Sequence, residues 1–262
     1  MAHAATAQPR HGLPRVNEIT LDYPWEWLAK GWRDLSRAPH FSLAYGAVFT
    51  VVSYVLTFGL VYENLFFVIP PLAAGFFLVA PLLGIGLYQI SDALERGQTV
   101  RFCNALSAWR RNDVQLSAMA LVLVMIMLVW MLAAILVFAL FYDAPVPTWE
   151  NFIAQVFLSG ESPAFLFSGI AAGGIIAAFT FMISAVTVPM LMDRQTDVLT
   201  AMQTSMQAVR TNWPAMTLWA SLIVMFVGIG IVTFYIGLIV AMPLVGHATW
   251  HAYRDLVPRD GG

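Results

Sequence analysis

Thirteen Lys and Arg residues leave three long stretches of this 262-residue chain without a cation. No Lys or Arg lies between Arg37 and Arg96, between Arg111 and Arg194, or between Arg210 and Arg254. Each stretch is strongly apolar and long enough for two membrane crossings of ~20 residues with a turn between them. Folding each into a hairpin puts every cation on one side of a bilayer. The excess of Lys and Arg in cytoplasmic segments then names that side the cytoplasm. The expectation is an all-α, polytopic membrane helical bundle. It has about six transmembrane helices in three hairpins, each preceded by a cytoplasmic amphipathic helix, with both termini inside.

The chain is 60% hydrophobic and only 11% charged, against roughly a quarter charged in soluble domains. A water-soluble fold of this length has no way to bury so much apolar surface, so the first partner is the lipid bilayer. The turns on the cation-free side carry only acids: Glu63, Asp143, Glu150 and Glu161. Nothing resembles the basic footprint of a nucleic-acid-binding protein. The single Cys, Cys103, excludes an internal disulfide and falls in a segment expected to be cytoplasmic, where thiols stay reduced. The N-terminal residues lack the apolar core of a secretion signal. The helix starting near Phe41 is expected to serve as an uncleaved insertion signal.

Residues 1–22 read as a disordered cytoplasmic N-terminus. Residues 23–256 read as a single transmembrane domain with spans at about 41–61, 65–90, 115–141, 164–192, 213–231 and 234–252, and residues 257–262 as a cytoplasmic tail. Trp25, Leu28, Trp32 and Leu35 recur at helical spacing and predict a short helix lying in the headgroup region. Phe102, Leu106 and Trp109 form a second such stripe, and Met202, Met206 and Val209 a third. Tyr62-Glu63-Asn64 predicts a tight outer turn, and Trp149 to Leu158 an interfacial helix in the outer loop. Pro70, Pro71 and Pro81 fall inside the second span, where neighbours must satisfy the freed carbonyls. The apolar run from Trp213 to Ala252 would make one helix of ~60 Å, twice the ~30 Å hydrocarbon core. A turn is therefore expected within Gly228 to Gly237. A five-span alternative would leave Arg254 and Arg259 outside.

The amphipathic segments repeat. Ala108-x-Arg110-x-Asn112 recurs as Ala208-x-Arg210-x-Asn212, and Pro81-Leu82-Leu83-Gly84 is echoed by Pro243-Leu244-Val245-Gly246. The simplest unit is an interfacial helix followed by a hairpin, used three times around a pseudo-threefold axis. The plain alternative is shared apolar composition.

Ionisable residues at mid-membrane are the usual pointer to function, and the expected span centres hold none. Asp92, Glu95, Asp193 and Asp255 fall at cytoplasmic exits, which argues against an ion-driven carrier. His247 and His251 face the same way on a helix and are the candidate metal or haem ligands. No other ligand cluster lies near them in sequence. The alternative is that they anchor the last helix at headgroup level beside Trp250 and Tyr253. Gly169 and Gly173 form a GxxxG helix-packing pair. Interface candidates are Trp25, Trp32, Arg33, Asp34, Trp109, Arg110 and Arg210. The signatures of hydrolases, zinc proteases and phosphate-binding loops are missing. No catalytic residue or cofactor is predicted, and the chain is not read as an enzyme.

Three stretches carry a family likeness: Gly31-Trp32-Arg33-Asp34 with Pro39; Pro81 to Tyr88 with Glu95-Arg96-Gly97; and Pro243 to Leu256, which includes Gly246-His247-Ala248-Thr249-Trp250-His251. In them the chain resembles a bacterial family of integral inner-membrane proteins of unknown function, over roughly Asp22 to Leu256. The resemblance implies the bacterial cytoplasmic membrane and no established activity. Some family members are labelled cytochrome c oxidase subunit I. A catalytic subunit of that kind needs many more spans and several intramembrane His ligands, so the label implies at most an accessory protein of a respiratory complex. Three readings follow. The first is a non-enzymatic accessory, assembly or scaffold component of a membrane complex, or a homo-oligomer. The second is a small-solute permease or channel built from three hairpins. The third is a metal- or haem-associated membrane protein using His247 and His251.

Overall fold

The computed structural model describes residues 13–100, 108–142 and 162–259, with positions 151, 154, 156 and 160 in between. Cys103, the Phe102/Leu106 part of the second stripe, and most of the expected outer-loop helix lie outside the described residues. Ten α-helices are described: α1 (Tyr23–Arg37), α2 (Pro39–Tyr62), α3 (Ile69–Leu83), α4 (Ile85–Glu95), α5 (Asp113–Phe141), α6 (Pro163–Ser184), α7 (Thr187–Asp193), α8 (Val198–Thr211), α9 (Trp213–Val232) and α10 (Leu238–Leu256). No strand occurs among the described residues. The all-helical membrane architecture expected from the sequence is the one observed.

Five helical stretches are long and apolar enough to cross a bilayer: α2, Phe66–Glu95, α5, Pro163–Asp193 and α9. Their outward faces are aliphatic and aromatic, as with Val51, Val55 and Phe58 on α2, and Leu128, Leu132 and Ile135 on α5. α10 is not among the five. Thirteen of its 19 residues are buried, and its second half carries His247, His251, Arg254 and Asp255. The protein itself, rather than lipid, is its solvent.

Local chemistry sets the boundaries. Asp22, Pro24 and Glu26 open α1, and Arg37 closes it beside the dipole's negative end. Pro39 disfavours helical backbone at Ala38, which sits at φ −130°, ψ 54°. Asn112 (φ −153°, ψ 58°) and Asn212 (φ −116°, ψ 34°) hold the same kind of bend before α5 and α9. α2 ends with Asn64 at φ 58°. There the Leu65 N–H donates to Leu60 O and the Asn64 N–H to Val61 O, the reciprocal bonds that close a helix through a left-handed residue. α4 ends the same way through Gly97. Asp197 opens α8 by accepting from the Thr200 N–H at 2.9 Å.

Two long stretches are broken. Between α3 and α4 the break follows Pro81, which lacks the N–H its turn requires, and falls at Gly84. Between α6 and α7 it falls at Ala185–Val186, ahead of Pro189.

α10 lies among α1, α2, α4 and α9. Glycines allow the approach. A Cβ on Gly31 would stand 2.8 Å from Ala248 N and from Leu244 O, and one on Gly46 would overlap the Ile239 backbone. The α9–α10 turn is held from α2: Thr50 Oγ1 donates to Tyr235 O at 2.9 Å, and Tyr54 Oη to Phe234 O at 2.6 Å. Phe234 and Tyr235 sit at φ 54° and 64°, a conformation that disfavours bulky side chains.

The α1 stripe differs from the expectation. Leu28 and Leu35 face inward, but Trp27, Gly31 and Asp34 complete the buried face, while Trp25 and Trp32 remain outside. The face was chosen by Gly31, where the α10 backbone comes close, and by Trp27. The Trp27 ring meets Trp219 edge-on at 5.5 Å, and its Nε1–H donates to Asp255 at 3.0 Å.

Candidate functional site

Helical spacing puts His247 and His251 on one face of α10, and that face meets α1, α2 and α4. His247 is 0% exposed. Its Nε2 lies 2.9 Å from Ser42 Oγ on α2, and its Nδ1 lies 2.8 Å from Ser91 Oγ on α4. Ser91 is hydrogen-bonded in turn to Asp34 on α1, and Asp34 Oδ2 lies 2.8 Å from His251 Nε2. The result is one chain across four helices: Ser42, His247, Ser91, Asp34, His251.

Both ring nitrogens of His247 lie within hydrogen-bonding distance of serine hydroxyls. Among the described residues, no group of three or more His, Cys, Asp or Glu is placed to hold a metal ion. Burial pushes the Asp34 carboxyl up, but the hydrogen bonds from His251 and Ser91 outweigh it and hold the group below its ordinary value.

A second cluster joins the C-terminal ends of α4, α7 and α10. The side chains of Asp92 and Asp193 are 1% and 2% exposed. Asp92 pairs with Arg96 at 2.7 Å and Arg111 at 2.9 Å, and Asp193 with Arg259 at 2.6 Å. Asp193 also accepts from Tyr253 Oη at 2.8 Å. Glu95 takes Arg254 at 2.9 Å and the Trp250 indole N–H at 3.0 Å. Arg194 donates to Tyr253 Oη and to the carbonyls of Val257 and Pro258. Residues 13–20 run over this end, where Asn17 and Ile19 bond Leu256, Asp255 and Asn212.

Of the interface candidates, Trp25, Trp32, Arg33, Arg110 and Arg210 are exposed, Trp109 is half-buried against the core, and Asp34 is inside the histidine chain. A Cβ on Gly173 would stand 3.1 Å from the Trp130 ring, whereas one on Gly169 would meet only Val137, at 3.9 Å. Sequence reasoning missed Ser42 and Ser91, whose single hydroxyls carry no motif. It noted Asp92 and Asp193 but not that they converge.

Helices of this length with aliphatic outer faces define a polytopic integral membrane protein. Residues 68–193, from the approach to α3 to the end of α7, match the family model described as Predicted integral membrane protein (DUF2189). Over that stretch the chain is similar to this family, whose function is unknown. The Pro243 to Leu256 motif lies outside the matched residues. No curated protein and no solved structure matches the chain.

Proposed function

We propose that this chain is a non-enzymatic scaffold or accessory component of a complex in the bacterial cytoplasmic membrane. The observation that carries the reading is internal satisfaction of its polar groups. The histidine chain is closed from Ser42 to His251. The backbone groups freed at both helix breaks are also taken: Tyr45 Oη donates to Leu83 O at 2.7 Å, and the Val186 N–H donates to Ser205 Oγ at 3.3 Å. Among the described residues, the buried side-chain atoms without a hydrogen-bond partner are Gln89 Oε1 and Arg254 Nη1, and the latter still lies 3.8 Å from Asp193. A closed network makes a rigid body.

A permease is the rival reading. It draws on the broken helices, because discontinuous helices hold substrate in many transporters. Here their free ends already hold side chains from α2 and α8. In the scaffold reading α10 is the sixth crossing, and the basic ends of three hairpins meet at the cytoplasmic face. A reporter fused after Gly262 should then signal from the cytoplasm.

Gentle solubilisation and affinity capture of the tagged chain test the proposal. A stoichiometric membrane-protein partner is the expected result. Capture of the chain alone, together with solute uptake that depends on it, would overturn the scaffold reading in favour of the permease.

A further inference from the structure

The cations sort into two sets. Lys30, Arg96, Arg111, Arg254 and Arg259 pair with acids, and Arg194 with Tyr253 and backbone carbonyls. Arg15, Arg33, Arg37, Arg110 and Arg210 have neither kind of partner among the described residues, and all are exposed. Three of these five sit beside exposed tryptophans at the entrance to an apolar helix. Arg33 and Arg37 share the outer side of α1 with Trp25 (55% exposed) and Trp32 (53%), and Arg210 lies one turn before Trp213 (67%). The acids on that side of α1, Asp22 and Glu26, are at its N-terminal end. Trp27 and Trp219 bring α1 and α9 into contact.

We propose that these stations bind anionic phospholipids. Arg33, Arg37 and Arg210 hold the phosphates, and Trp25, Trp32 and Trp213 lie beside them in the ester zone. Guanidinium matches phosphate in a two-point fork, and tryptophan favours the boundary between hydrocarbon and water. Directly beyond the stations the exposed surface is aliphatic: Val48, Val51 and Val55 on α2, and Val224 and Ile229 on α9. A ligand seated there meets guanidinium at one end and hydrocarbon along its length. A phospholipid has both parts in one molecule, and an acidic segment of a protein partner lacks the second. The site needs only the membrane-embedded fold and stands independently of the scaffold reading.

The test is reconstitution of the full chain into nanodiscs of mixed phosphatidylcholine and phosphatidylglycerol, with the lipids retained after extraction counted by native mass spectrometry. The wild type should retain phosphatidylglycerol preferentially. Each cation near an anionic surface contributes about fivefold, so R33Q/R37Q/R210Q should lose about a hundredfold of that preference. Arg15→Gln, an exposed arginine with no tryptophan station, should keep it. Equal retention by the triple variant, equal loss in Arg15→Gln, or a polypeptide held at this face in place of lipid would overturn the proposal. A second measurement uses wild-type protein alone. Brominated phosphatidylglycerol should quench tryptophan fluorescence more than brominated phosphatidylcholine, and W25F/W32F/W213F should remove the difference. Equal quenching by both lipids would also overturn it.

Discussion

Single residues carry the electrostatics of this protein. Asp92 is buried under Arg96 and Arg111, and removing one partner of a buried ion pair strands the others at about 3–5 kcal/mol. The Arg96 and Arg111 side chains are 40% and 37% exposed, so water screens them once Asp92 is gone. Asp92→Ala should therefore unfold in detergent with a loss below that range, and Asp92→Asn, which keeps the shape, with a smaller one. Asp34 sets a pH dependence. Its folded pKa lies below the ordinary value of 3.8, so its contribution is in place above that value and is lost as the pH falls through the lower, folded one. Thermal unfolding of wild type and Asp34→Asn, measured from neutral pH down to about 3, should show the two curves converging in the acid range. A gap that stays constant would remove Asp34 from this role.

At the scale of the helix, α1 shows how far a pattern can be read. Its existence and its end before Pro39 were legible, because a proline acts on its own backbone. Its buried face was not. Trp25 and Trp27 are equally apolar to a periodicity argument, and the contact at Gly31 with α10 decides between them. Trp27→Ala should cost about 3–5 kcal/mol, as for other buried aromatics, while Trp32→Ala should stay within about 0.5 kcal/mol. Gly31→Leu should be the most damaging change on the helix, since the clash is with α10 backbone. Chemical denaturation of the three variants side by side ranks them, and a stable Gly31→Leu would mean that α1 docks elsewhere.

For the whole molecule, α10 joins the parts. It is the helix against which α1, α2, α4 and α9 pack, and Arg254 near its end and Arg259 just beyond it reach the acids of α4 and α7. Ending the chain after Val257 deletes Arg259, a partner of both Asp193 and Asp92. That truncation should lower the melting temperature and free the end of α7, seen as faster hydrogen exchange over 187–194. Unchanged exchange would detach the tail from this function.

The amino-acid sequence by itself determined that this is an α-helical membrane protein with its cations gathered at segment ends. Hydropathy, charge spacing and capping act over one or two helical turns and need no neighbour. The family likeness in residues 68–193 was also legible there. Which polar groups meet was decided only by the tertiary structure. Ser42, Ser91 and Asp34 reach His247 and His251 from three other helices across as many as 217 positions of chain, and Asp92 and Asp193 converge from separate helices. A buried polar group must find a partner, but its chemistry does not say which one. That choice belongs to the packing, which here is set where glycines let backbones touch.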